Sequence, residues 1–179
     1  MMFQKTGLPG VFMIEPERHC DSRGHFSRTF CRVEFAAHGL VADFVQTSAS
    51  VNTQRGTLRG LHHQAAPAAE TKLVRVVRGA AFDVAADLRL DSPTYGRWVA
   101  AELSAENGRM LYIPPGCAHG FQTLADDTEL LYQIAPDYEP SLSRGVRWND
   151  PTLGIAWPIA DPILSERDRS LPVLAALAA

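Results

Sequence analysis

Gly56-Thr57-Leu58-Arg59-Gly60-Leu61-His62-His63-Gln64 is the stretch on which the reading of this chain turns. Strict alternation puts Thr57, Arg59, Leu61 and His63 on one face of an extended strand, and Leu58, Gly60, His62 and Gln64 on the other. An Arg, two His and a Gln within six residues are costly for a strand that only packs, because buried polar groups need partners. A second stretch, Pro114-Pro115-Gly116-Cys117-Ala118-His119-Gly120-Phe121, brings another His on a Gly-flanked turn between apolar segments. The pair of stretches favours a strand-borne site over a solvated edge strand with scattered polar residues.

Working outward, the chain reads as many short strands. Val11 to Pro16 is a strand stopped by proline, Asp21 to Gly24 a turn, and His25 to Phe30 extended again. Arg32 to Gly39 reads as a helix with an apolar stripe of Val33, Phe35, Ala36, Ala37 and Leu40, closed by Gly39. Asp43 to Ser50, Lys72 to Arg78, Ala80 to Leu88, Phe121 to Leu124 and Glu129 to Ile134 are further strands, with a pivot at Gly79. Arg97 to Leu103 and Met110 to Ile113 are expected to form a hairpin around Asn107-Gly108. The tail, Leu171 to Ala179, suits one short helix. The pattern is that of an all-β sandwich or barrel.

At 179 residues, with 46% hydrophobic and 21% charged residues, the chain reads as one soluble domain spanning 1–179. A formal net charge of -3 argues against nucleic acid as a partner. No apolar run reaches membrane-spanning length and the first residues do not form a signal peptide, so the expected location is cytoplasmic. Cys20, Cys31 and Cys117 lack a paired spacing and read as reduced thiols. The fingerprints of dinucleotide binding, P-loops, zinc peptidases and serine hydrolases are missing from the sequence.

Histidines on a β-barrel suit two chemistries. A metal site needs ligands converging on one point, and His62, His119 and Glu70 are the candidate trio. Adjacent His62 and His63 point to opposite faces and do not supply a chelating pair. Metal-free acid–base work instead uses a His base, a carboxylate to orient it, a Tyr acid, and a Lys or Arg for developing negative charge.

The residues themselves carry a family resemblance. Arg59-Gly60-Leu61-His62-His63-Gln64 resembles the RGLH-aromatic-Q signature of the nucleotide-sugar 4-keto-6-deoxyhexose 3,5-epimerases, the dTDP-4-dehydrorhamnose 3,5-epimerase (RmlC) family. Asp21-x-Arg23-Gly24-x-Phe26, Lys72-Leu73-Val74-Arg75, Phe82-Asp83-Val84 to Arg89, and the PPGxAHGF stretch at 114–121 follow in family order. So do Tyr138-Glu139-Pro140, Gly145 to Pro151, and Leu164-Ser165-x-x-Asp168. Together, in order along nearly the whole chain, these matches are highly specific.

The resemblance implies a cupin-type antiparallel jelly-roll barrel with a few short peripheral helices, a homodimer, and no metal or organic cofactor. It implies a nucleotide-diphosphosugar substrate, by default dTDP-4-dehydro-6-deoxy-D-glucose, inverted at C3 and C5 through an enolate. Position by position it makes His62 the base, Asp168 its orienting partner, Lys72 the enolate stabiliser and Tyr138 the acid. His119 becomes the second active-site His, supported by Asp83. Arg23, Phe26, Gln46, Arg59 and Gln64 match substrate contacts. His63 is expected to pack, since it stands where the family has an aromatic ring.

Three departures stand out. Arg28 replaces an acidic residue, Ser48 an amide, and Asp137-Tyr138 an aromatic pair. They leave the acid–base set whole, but open the nucleotide to CDP or GDP and the outcome to single-centre inversion. A metal-dependent cupin and a non-catalytic sugar-binding barrel are the readings from other classes.

Overall fold

Short strands punctuated by turn residues fold into two antiparallel sheets packed face to face, in a computed structural model that describes residues 1–176. The chain begins with β1 (Met2–Lys5), β2 (Phe12–Glu15), β3 (Arg18–Asp21), β4 (Gly24–Ser27), β5 (Gln46–Asn52), β6 (Leu58–Gln64) and β7 (Thr71–Arg78). It continues with β8 (Ala80–Asp87), β9 (Trp98–Ser104), β10 (Met110–Ile113), β11 (Cys117–Thr123), β12 (Thr128–Ala135) and β13 (Ser143–Gly145). One sheet runs β1-β2-β10-β7-β12-β5 and the other β13-β6-β11-β8-β9, while β3 and β4 form a separate hairpin. The helices are short: α1 (Arg32–Ala37), α2 (Glu166–Arg169), and 3-10 turns at Pro140–Leu142 and Leu174–Ala176. This is the antiparallel jelly roll with short peripheral helices that the sequence implied.

Alternation explains the core. Val74 and Val76 of β7, Leu111 and Ile113 of β10 and Leu130 of β12 point inward from the larger sheet. They meet Ala81, Ala85, Leu103, Cys117 and Phe121 of the smaller one. Small alanines on one side against branched residues on the other let the layers interdigitate at interior density. A second cluster on the outer face of the larger sheet holds α1, through a fully buried Phe35 packed edge-on against Phe3, Phe44 and Tyr112.

Several local expectations change. The Asn107-Gly108 turn is formed, with Asn107 Oδ1 accepting from the N–H of Ser104 and of Arg109. It does not close a hairpin, because β9 lies at the edge of the smaller sheet and β10 between β2 and β7 of the larger. A tight turn fixes reversal of direction, and core packing then decides which strands pair. All four residues of β10 are buried, as a strand between two partners requires. The strand expected from Asp43 starts only at Gln46. β1 was not foreseen. On α1 only Phe35 of the proposed stripe is buried, while Val33 is exposed. Of the tail helix the structure has the turn at Leu174–Ala176, and residues 177–179 lie outside the described residues.

Candidate functional site

A cavity of about 560 Å³ opens between the two sheets, lined from both sides by polar residues. Its volume lies in the range of small-ligand sites. The smaller sheet supplies His62 from β6 and His119 from β11, which are directly paired in register. The larger sheet supplies Lys72 from β7 and Tyr132 from β12. A ligand held between the sheets therefore has imidazoles on one side and an ammonium and a phenol on the other.

Strict alternation fails where it matters most. His119 pairs with His62, but Phe121 pairs with Arg59, so β6 carries one more residue than β11 over this span. This bulge brings Arg59 to the cavity that His62 faces. Gly60 makes the close approach possible: a Cβ built on it would lie 2.6 Å from the Gly120 Cα. Its φ of 126° is open to glycine and strained for other residues.

His62 Nε2 lies 2.6 Å from Asp168 Oδ1, with the imidazole partly exposed and the carboxyl buried. Asp168 comes from α2, whose first turn is capped by the Ser165 hydroxyl accepting from the Asp168 N–H. Burial raises the Asp168 pKa, but His62, Ser165 and the Gly60 backbone oppose it, and the net position is below the ordinary carboxyl value. Asp168 is thus an anion that orients the ring by Nε2 and leaves Nδ1 for other work.

A parallel pair stands beside it: His119 Nε2 lies 2.9 Å from Asp83 Oδ2, both groups buried. Lys72 Nζ lies 2.8 Å from Glu70 Oε1 and 3.4 Å from the His62 carbonyl, so a buried ion pair holds the ammonium at the cavity wall. His62, His119 and Glu70, the candidate metal trio, are each engaged with a different partner. Among the described residues, no group of three His, Cys, Asp or Glu side chains comes together as a metal-binding cluster.

Arg59 donates from Nε to Asn52 Oδ1 at 2.8 Å and, like Ser48, lines the cavity. Tyr138 lines its mouth, half-exposed, with its N–H donated to Gln46 Oε1. Gln64 borders the cavity but is buried, with its amide bonded to backbone. Arg23, Phe26 and Arg28 lie elsewhere, on or just beyond the β3–β4 hairpin. Arg23 pairs with Asp21 at 2.6 Å, Arg28 with Glu34 at 3.3 Å, and the Phe26 ring is exposed.

His63, expected to pack, is half-buried and also lines the cavity, and its Nδ1 is buried without a partner. Burial, assisted by Lys72, lowers its pKa. The three cysteines are free thiols, and burial pushes Cys117 up to about 12, out of reactive range.

Tyr132 went unseen in the sequence because it alternates with Leu130 and Ile134 and so reads as core. Its ring meets His119 edge-on at 5.7 Å, and its phenol stands beside Ser50, Asp83 and Arg59. Burial first, then the Asp83 charge, raises its pKa and keeps the proton in place. Arg167 and Ser143 were also missed; they line the cavity and bond to each other at 2.8 Å.

Comparison with known proteins supplies the context for this geometry. A family model described as dTDP-4-dehydrorhamnose 3,5-epimerase matches residues 5–176. A dTDP-4-dehydrorhamnose 3,5-epimerase from Sinorhizobium fredii is 47% identical over 178 residues, 99% of this chain and 91% of the relative. The crystal structure of a dTDP-4-dehydrorhamnose 3,5-epimerase from Bacillus anthracis, with TDP and PPi bound, superimposes with a TM-score of 0.93 at 41% identity. It covers 96% of this chain and 98% of its own. A 3′-monoepimerase from Streptomyces bikiniensis, solved as a double mutant of one His and one Tyr with dTDP, gives a TM-score of 0.91 at 35% identity. That match covers 98% of this chain and 88% of the other.

Proposed function

The chain belongs to the dTDP-4-dehydrorhamnose 3,5-epimerase family, and from that premise we propose how its cavity performs the reaction. The chain is an isomerase of nucleotide-linked 4-keto-6-deoxyhexoses, and the substrate is dTDP-4-dehydro-6-deoxy-D-glucose, converted to dTDP-4-dehydro-L-rhamnose. The C4 ketone acidifies the C3 and C5 hydrogens, because the carbanion left behind delocalises onto oxygen. The chemistry is proton removal and proton return, so the side chains suffice and activity should survive exhaustive chelation.

His62, oriented by Asp168, removes the proton; the anionic carboxylate favours the imidazolium that forms. Lys72, on the opposite sheet, stabilises negative charge on O4, a contribution of roughly 3 kcal/mol or more for one well-placed donor. His119, held by Asp83, assists at the same oxygen. We assign the returning proton to Tyr132 in place of Tyr138. Inversion needs removal on one face and delivery on the other, and Tyr132 faces His62 from across the two sheets with its phenol held protonated. The His and Tyr replaced in the Streptomyces bikiniensis structure are separated by the same interval as His62 and Tyr132. Tyr138, at the mouth, then covers the sugar.

Arg59 and Ser48 contact the diphosphate and nucleotide side. Arg23, Phe26 and Arg28 stand off this cavity, on or just past an exposed hairpin, so they serve the site in a homodimer, where one copy's hairpin reaches its partner's cavity. The enzyme acts as one domain, in the cytoplasm, where nucleotide sugars are made; no helix among the described residues is long and apolar enough to cross a membrane.

The observation that carries this reading is the His62–Asp168 pair facing Lys72 and Tyr132 across one cavity. NMR in deuterated water tests it, following solvent exchange and configuration of the sugar separately. His62→Ala should abolish both exchange and inversion; wild-type exchange in that variant would overturn the assignment.

A further inference from the structure

Gln64 belongs to the family-like signature, and its place there suggested a substrate contact, but its surroundings assign it another task. It is 2% exposed, and the amide is spent on backbone. Nε2 donates to the Ala68 carbonyl at 2.6 Å and to the Asp137 carbonyl at 3.0 Å, while Oε1 accepts from the Glu139 N–H at 2.7 Å. Both donors are used, and burial closes the oxygen to further partners. The three contacts lie in two different loops at the cavity mouth. Ala68 precedes Glu70 and Lys72, whose ion pair forms the cavity wall. Asp137 and Glu139 flank Tyr138 on either side.

The pinned segment extends further in both directions. The Tyr138 N–H donates to Gln46 Oε1 at 2.8 Å, so three consecutive residues, 137–139, are each tied by a glutamine amide. Glu139 then caps the turn Pro140–Leu142 by accepting from the Ser141 N–H and hydroxyl. The turn leads into β13, where Ser143 pairs in register with Gln64 itself and accepts from Arg167, the neighbour of Asp168. One buried amide thus stands at the junction of the loop bearing Tyr138, the loop leading to Lys72, and the strand next to the dyad.

We propose that Gln64 is a positioning residue, not a substrate contact: it clamps the 137–139 loop, with Gln46 as its outer partner, so that Tyr138 is held over the bound sugar. This rests on the epimerase reading above for the identity of the sugar. Only a primary amide meets the chemical demand, since two carbonyls need donors and one N–H needs an acceptor. A glutamate of the same length sets an oxygen against two carbonyl oxygens and keeps only the bond to Glu139.

The test combines hydrogen exchange with kinetics. In Gln64→Glu, amides in the 136–142 segment should exchange about tenfold faster, while those of β7 and β8 stay protected as in the parent. The KM for the dTDP-4-keto sugar should rise by about tenfold or more, with kcat for solvent exchange within about threefold, because the His62–Asp168 pair is untouched. In a Tyr138→Ala background the same change should move KM by less than about twofold, since the group being positioned is gone. Should Gln64→Glu not fold, Gln46→Met, which removes one bond from the outer side, must speed exchange of the Tyr138 amide and raise KM. The proposal is overturned by unchanged loop exchange, by an unchanged KM, or by an equal KM effect with and without Tyr138. Loop exchange is read without substrate, so inactivity of the wild type toward the 4-keto sugar would sink the epimerase reading and leave the clamp to be judged by its own arm.

Discussion

At the scale of single residues, the two tyrosines of the cavity are placed differently from their prominence in the sequence. Tyr138 stands in a recognisable motif but is half-exposed at the mouth, whereas Tyr132 is partly buried against the core and lines the cavity on the sheet opposite His62. Tyr132→Phe should lower inverted product by about 100-fold or more while deuterium still washes into the sugar, because His62 can remove and return a proton on one face. Tyr138→Phe should retain inversion and alter mainly KM. NMR in deuterated water separates the two outcomes, and full inversion by Tyr132→Phe would return the acid role to Tyr138. Two titrating groups also set an acid limit. The pKa of His63 is below its ordinary 6.5 in the fold, so the unfolded chain takes up a proton that the folded chain refuses. Its contribution is whole above about pH 6.5 and shrinks as pH falls below that value. Asp168, also lowered, contributes above its ordinary 3.8, and that stability is lost as pH falls through its folded value. Thermal melting should therefore soften first as pH falls below 6.5, the ordinary His value, and again as it falls below 3.8, the ordinary Asp value. His63→Phe should flatten the first step; an unchanged slope would remove His63 as its source.

At the scale of elements, β6 and β11 are joined at a point where neither tolerates a side chain. A Cβ on Gly60 meets the Gly120 backbone, and one on Gly120 lies 2.9 Å from the Arg59 carbonyl. Gly60→Ala should shift the bulge that presents Arg59 and His62 together. We expect a loss of stability of about 1–3 kcal/mol and a collapse of kcat, measured by chemical denaturation and the epimerase assay; a variant with parental stability and activity would show that the strands can part. α1 makes a different case. It is too short to be stable alone, and its C-terminus closes with Gly39 N–H to the Ala36 carbonyl and Leu40 N–H to the Phe35 carbonyl. What holds it is Phe35, fully buried among four aromatic rings. Phe35→Ala should cost about 3–5 kcal/mol and leave the dyad geometry intact, so kcat at low temperature should persist while the melting temperature falls.

At the scale of the molecule, the proposed homodimer is what would complete the site. Arg23 and Phe26 are exposed on the β3–β4 hairpin and bind nothing in their own cavity. If the hairpin serves a second copy, Arg23→Ala should weaken substrate binding by about tenfold or more, without altering the His62–Asp168 chemistry. Mixing Arg23→Ala with His62→Ala should then restore activity to a fraction of the sites, and absence of complementation would place the hairpin outside catalysis. Much of this was legible in the sequence. The turn-spaced strands foretold a two-sheet barrel because backbone alternation and glycine conformations are local properties. The acid–base set was legible through the order of the family-like motifs, which picks out His62 and Lys72 on their strands and Asp168 in the charged run that forms α2. The tertiary structure alone decided the rest. Only sheet order could show that β9 and β10 part company after a perfect tight turn, since pairing depends on which strands share the core. Only the bulge opposite Gly120 could turn Arg59 to the side of His62, because an alternation rule cannot see one extra residue. Tyr132 was invisible for a different reason: a phenol among leucines and isoleucines reads as core until the opposing sheet brings His119 against it.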